Sequence, residues 1–115
     1  MQYLLMIYSE ENKVGTLPEA ELGKMMAEYG ALTASMKESG NYVGGNRLKA
    51  IAAATTVRIR DGKVSKTHGP FAETREQLGG YYLVSAKDLD EACALAARIP
   101  GARVGSIEVR PIAEM

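Results

Sequence analysis

The chain has 115 residues, enough for a single domain whose one core buries about two thirds of the unfolded surface, and too few for a second core. Fourteen Lys and Arg balance fourteen Asp and Glu, so no strong positive field exists to gather a nucleic-acid backbone or an anionic membrane surface. One cysteine and one histidine exclude an internal disulfide and a Cys/His zinc site.

The opening MQYLLMIY is apolar for about six residues before Glu10 and Glu11, shorter than a signal-peptide core and far short of a membrane span, so a cytoplasmic protein is expected. Residues 2 to 8 place Tyr3, Leu5 and Ile7 on one face and Leu4, Met6 and Tyr8 on the other, which predicts a central strand covered on both sides. Thr16 followed by Glu19 reads as a capping box, with Pro18 in the first helical turn. Leu22, Met25, Met26, Tyr29, Leu32, Thr33 and Met36 recur at helical spacing and predict one core stripe, ended by Gly40 in a left-handed conformation. NYVGGNRLKAIAAA reads as extended or helical, since Gly44 and Gly45 interrupt a strand pattern.

TTVRIR and KVSKT are joined by Asp61-Gly62, the dipeptide of a two-residue hairpin turn. Thr55, Val57 and Ile59 alternate with Thr56, Arg58 and Arg60, giving one apolar and one basic face. GYYLVSA is a further strand. Asp88 and Glu91 form a second capping box before Leu89, Ala92, Cys93, Ala96 and Ile99, which put Cys93 on a buried stripe as an inert core thiol. Pro100-Gly101 ends that helix, and GSIEVRPI supplies the last strand.

The order βαββ(loop)βαβ predicts an α+β fold, a ferredoxin-like βαββαβ sandwich with an extra strand or loop, formed by one domain over residues 1–115. Two helices cover one sheet face, so the other is expected to meet a second copy, with Arg58, Glu108 and Arg110 near that region.

KTHGPFAETREQLGGYY holds the only histidine and the only phenylalanine. Pro70 before FAETREQL and Gly79-Gly80 has the composition of a short helical turn, with His68 at or just before its N-cap. Two readings of the segment stand side by side. In one, His68 is a cap or rim residue and Phe71 a plug. In the other, His68 is a general acid or base, Glu73 or Glu76 its partner carboxylate, and Tyr81 or Tyr82 a pocket hydroxyl.

The run from TTVRIRDG through THGPFAETREQLGGYY to GSIEVRPI, with the opening YLLMIYSEE, closely resembles the YCII-related proteins of the DGPF type. The resemblance implies a dimeric α/β barrel made from two ferredoxin-like sheets. It also implies a His and Asp pair in a cleft, but Tyr29 stands at the first-helix position where that His is expected, and the signature here reads HGPF in place of DGPF. The functional expectation is a cytosolic homodimer that binds a small organic molecule in a cleft near the HGPF loop, with acid–base chemistry at His68 and Phe71, Tyr81, Tyr82 and Tyr29 lining the site. The alternative, implied by the resemblance, is a non-enzymatic partner of an extracytoplasmic-function sigma factor. No phosphate loop, zinc signature or nucleophile elbow is present, so no cofactor is expected.

Overall fold

A computed structural model describes residues 1–114. Six strands and three helices run in the order β1 (Gln2–Ser9), α1 (Glu11–Val14), α2 (Glu19–Ser39), β2 (Tyr42–Arg47), β3 (Thr55–Arg60), β4 (Lys63–His68), β5 (Gln77–Ser85), α3 (Leu89–Ala97) and β6 (Ser106–Pro111). Short 3₁₀ turns occupy Ile51–Ala53 and Pro100–Arg103.

The main sheet has the order β2-β5-β1-β6 with every neighbour antiparallel. Strand β1 is central, as its two-sided apolar pattern predicts. Two split βαβ units interleave: β1-α2-β2 spans β5, and β5-α3-β6 spans β1. Crossovers of one hand then bring both helices to the same face. This is the ferredoxin-like α+β fold expected from the order of elements.

Alternation assigns the faces. Tyr3, Leu5, Tyr82 and Val84 point to the helices and form one buried cluster with Leu32 and Met36 of α2 and Ala92, Leu95, Ala96 and Ile99 of the α3 region. Leu4, Met6, Tyr81 and Leu83 occupy the other face, which no helix covers, and are only half-buried. Glu108 and Arg110 share that face and pair with each other within the chain, while Arg58 lies on a separate two-stranded sheet.

That second sheet is the β3–β4 hairpin, turned by Asp61 (φ 52°) and Gly62 (φ 74°), both in the left-handed region that an Asp-Gly turn supplies. Its apolar side carries Val57, Ile59 and Val64, each more than half exposed. The register Thr55↔His68 puts His68 on the same side. The projecting arm gives a radius of gyration of 16.0 Å and extents of 48 × 43 × 19 Å, against about 13 Å for the radius of a compact domain of this length.

Several local expectations are corrected. Helix α2 begins at Glu19 with Pro18 as its N-cap, and the Thr16 hydroxyl donates to the Lys13 carbonyl instead of capping the helix. Only the C-terminal half of the α2 stripe, Leu32 and Met36, is core; Met26 is exposed, and Leu22, Met25, Tyr29 and Thr33 line a hollow. Cys93 and Leu89 are exposed, and Ala92, Leu95 and Ala96 form the buried stripe of α3. Residues 70 to 76 form bends and no helical turn, and Gly79-Gly80 belong to β5. The other signals hold: Gly40 ends α2 at φ 82°, and Asp88 caps α3 by accepting from the Glu91 N–H at 2.9 Å. Glu91 reaches back to the Lys87 N–H at 3.3 Å, one residue before the cap.

Candidate functional site

A hollow of about 490 Å³ lies between the N-terminal half of α2 and the sheet. It exists because side chains are missing where the helix would otherwise meet them. Gly45 pairs with Tyr82, and Gly80 pairs with Ile7 and Arg47, so both glycines fall on the helix face of their strands. A Cβ at Gly45 would lie 2.9 Å from both the Tyr81 carbonyl oxygen and the Tyr82 ring, and one at Gly80 would lie 3.0 Å from the Asn46 carbonyl oxygen. A bulge at Gly79 shifts the β1–β5 register between Ile7 and Tyr8 and opens the same end of the sheet. Leu22, Met25 and Met26 form the helix wall.

Three hydroxyls organise the inner end. Thr33 Oγ1 donates its single proton to the Tyr29 carbonyl at 2.9 Å. The 2.9 Å contact between Thr33 Oγ1 and the Tyr82 hydroxyl therefore has Tyr82 as donor. The Tyr29 hydroxyl oxygen accepts the Gly101 N–H at 3.2 Å, and its own proton has no acceptor among the described residues. Burial pushes the Tyr29 phenol up, opposed by the Gly101 hydrogen bond and the nearby Arg103 and Arg47 charges. The group stays protonated, a hydrogen-bond donor at the hollow. The Tyr82 ring is held edge-on by Tyr42, with centroids 6.3 Å apart.

Arg47 also lines the hollow and faces α2, its Nη1 4.0 Å from Met26 Sδ. Glu11 turns both carboxylate oxygens to the Ile51 N–H, at 2.8 and 3.4 Å.

The other expected site residues fall elsewhere. Tyr81 borders the hollow but sends its hydroxyl to Asn46 Oδ1 at 2.7 Å on the opposite face, as strand alternation requires for neighbours of Tyr82. A second hollow of about 530 Å³, beside the HGPF loop, is lined by Tyr8, Leu48, Ile51, Pro70, Phe71 and Leu78 among others. Phe71 is 79% exposed above it. His68 ends β4, exposed, and lines neither hollow; Pro70, two residues on, lines the second. Glu73 is exposed, and Glu76 accepts from the Ser106 hydroxyl at 2.8 Å. The structure thus brings Tyr29, Tyr82 and Tyr81 to one hollow, and leaves His68 at the end of β4 and Phe71, Glu73 and Glu76 in the β4–β5 connection, outside it. That loop is tied down by Gly69 N–H to Ala54 O at 2.7 Å and by the Arg75–Glu10 ion pair at 2.7 Å.

Arg47, Thr33 and the paired glycines carried the site without being singled out as such. The available signal was two Gly-Gly dipeptides in strands that pair with each other, each leaving a gap under a long amphipathic helix.

Among the described residues no cluster of three or more His, Cys, Asp or Glu could hold a metal ion, and no helix is long and apolar enough to cross a membrane.

Interleaved split βαβ units with a helix–sheet hollow define an α+β protein of the ferredoxin-like class. Within that class the chain belongs to the YCII-related domain family, whose model matches residues 1–115. It is similar to an uncharacterized protein of Rhizobium meliloti (strain 1021), 36% identical over 115 residues that cover 98% of this chain and 93% of the relative.

Proposed function

We propose that the protein binds a small organic molecule in the hollow beneath α2. The observation that carries this reading is the glycine-floored space of about 490 Å³, a volume typical of small-molecule sites, with the Tyr29 proton unclaimed at its inner end.

The reading includes a homodimer. The half-buried Leu4, Met6 and Leu83 on the bare sheet face, and Val57, Ile59 and Val64 on the exposed arm, are the surfaces a second copy would cover. His68 lies on that same side of the arm, so acid–base chemistry at His68 belongs to this proposal at the subunit seam, outside both hollows, with Phe71 lining the second hollow nearby.

Thermal-shift measurements against a panel of small organic molecules separate the two placements, because a ligand that binds only the native state at a hundredfold over its Kd stabilises by about 2.7 kcal/mol. A stabilising ligand that is lost in Leu22→Trp, which fills the space under α2, and kept in His68→Ala supports the α2 hollow. The opposite pattern moves the ligand to the HGPF loop. A panel that stabilises neither form favours the non-enzymatic accessory reading.

A further inference from the structure

Two cations line the hollow, Arg47 and Lys49, and neither is in an ion pair among the described residues; of the two, only Arg47 carries a planar fork of donors. Arg75, Arg103 and Arg110 each hold a carboxylate, that of Glu10, Glu28 and Glu108 respectively. Arg47 ends β2 on the helix face, opposite Gly80, and its guanidinium reaches the Met26 sulfur at 4.0 Å. No carboxylate lies within ion-pair distance of it among the described residues. The one acid lining the same hollow, Glu11, is engaged by the Ile51 N–H. A guanidinium with a free planar fork, lining the same hollow as a phenol that has a proton to give and near enough for its charge to act on that phenol, is an arrangement for a planar two-oxygen anion.

Much of the helix wall and part of the sheet floor are apolar. Ile7, Val14, Leu22 and Met25 offer no charge, and methionine adapts to irregular shapes. The acidic first turn of α2, Glu19 and Glu21, leaves that helix end unsuited to a dianion. We propose that the hollow takes a small organic carboxylate, its carboxylate on the Arg47 guanidinium and the Tyr29 hydroxyl, and its apolar body against Leu22, Met25 and Ile7. This rests on the placement of the ligand beneath α2 argued above and adds the chemical class.

The test uses the full chain and matched probes in ligand-observed NMR and calorimetry: benzoate, phenylacetate and hexanoate, their primary amides, and phenyl phosphate. The acids bind, the amides of the same skeleton bind at least about tenfold more weakly, and phenyl phosphate gains nothing over the acids. Arg47→Gln lowers acid affinity about tenfold, Arg47→Lys restores only part of it because the fork is lost, and Arg58→Gln on the distal arm leaves it unchanged. Tyr29→Phe weakens the acids by a smaller factor, giving a second readout should Arg47→Gln fold poorly. Amides that bind as tightly as acids, or acids indifferent to Arg47→Gln, overturn the carboxylate assignment while leaving the hollow as a ligand site. Tighter binding of phenyl phosphate overturns it in favour of a phosphate ester. Failure of every probe in wild type overturns the carboxylate assignment, and a probe that binds wild type and Leu22→Trp equally overturns the placement.

Discussion

The hydroxyl oxygen of Tyr29 accepts the Gly101 N–H at 3.2 Å, and a Cβ added to Gly101 would lie only 2.8 Å from that same oxygen. The added methyl also meets Ile7 Cγ2 at 3.0 Å. Gly101→Ala is therefore expected to lower stability by about 1–3 kcal/mol through overpacking, whereas Tyr29→Phe, which deletes one hydrogen bond and no volume conflict, costs about 1 kcal/mol. Urea unfolding midpoints of the two variants check the order.

The Thr33–Tyr82 pair is expected to behave as a unit. Tyr82 is buried and its proton goes to Thr33, so Thr33→Val leaves that hydroxyl without a partner at a cost of about 1–3 kcal/mol. The double variant Thr33→Val/Tyr82→Phe is expected to cost less than the sum of the two singles, by about 0.5–1.5 kcal/mol in a double-mutant cycle. Additive losses would show that the two hydroxyls act independently.

At the start of α3, Asp88→Ala removes the acceptor for the Glu91 N–H and is expected to cost about 1 kcal/mol, and Asp88→Asn much less, because either side-chain oxygen caps the helix. Chemical denaturation reads the difference.

Two limbs of the stability profile follow from named groups. Burial raises the Tyr29 phenol above its ordinary value near 10, so the folded chain holds that proton more tightly than the unfolded one. The associated stability is intact below about pH 10 and is lost as pH rises through the raised folded value. Tyr29→Phe flattens this alkaline fall. On the acid side, hydrogen bonding to Arg103 holds Glu28 below its usual 4.5, and hydrogen bonding to Arg75 and Lys13 does the same for Glu10. Their contribution is present above about pH 4.5 and is lost as pH falls through the lowered values; both ion pairs lie at the surface, with Arg75 and Arg103 largely open to solvent, so Glu28→Gln shortens the acid limb only slightly.

Self-association is expected to depend on the arm. Ile59→Lys puts a charge between exposed Val57 and Val64, and sedimentation velocity should then find monomer where the wild type sediments as a dimer, with far-UV circular dichroism unchanged. Wild type that sediments as a monomer at micromolar concentration would remove the dimer from the proposal.

Much of the fold was legible because burial and period agree in the strands: Tyr3, Leu5 and Ile7 on one face of β1, and Tyr82 and Val84 on one face of β5, can satisfy only one register. The Asp61-Gly62 turn was equally plain, since few other dipeptides accept two positive φ angles. Helix α3 was harder. In LDEACALAA apolar residues appear on every side, so the phase that buries Ala92, Leu95 and Ala96 and exposes Cys93 is set by the sheet and not by the helix itself. The FAETREQL stretch failed for the related reason that good helix formers sit where Gln77 is already claimed by β5 and by a side-chain contact to the Glu11 N–H at 3.0 Å. The hollow could be inferred only by pairing Gly45 with Tyr82 across strands, a relation between residues 37 positions apart that no local window contains.

The sole thiol of the chain, Cys93, faces solvent from the outside of α3. A maleimide-linked nitroxide or fluorophore can be attached there with no background cysteine to remove first, on a helix whose other face is locked into the core. In any twofold assembly the two labels are related by one rotation and report a single separation, which makes this unremarkable side chain a built-in ruler for how copies of the molecule are arranged.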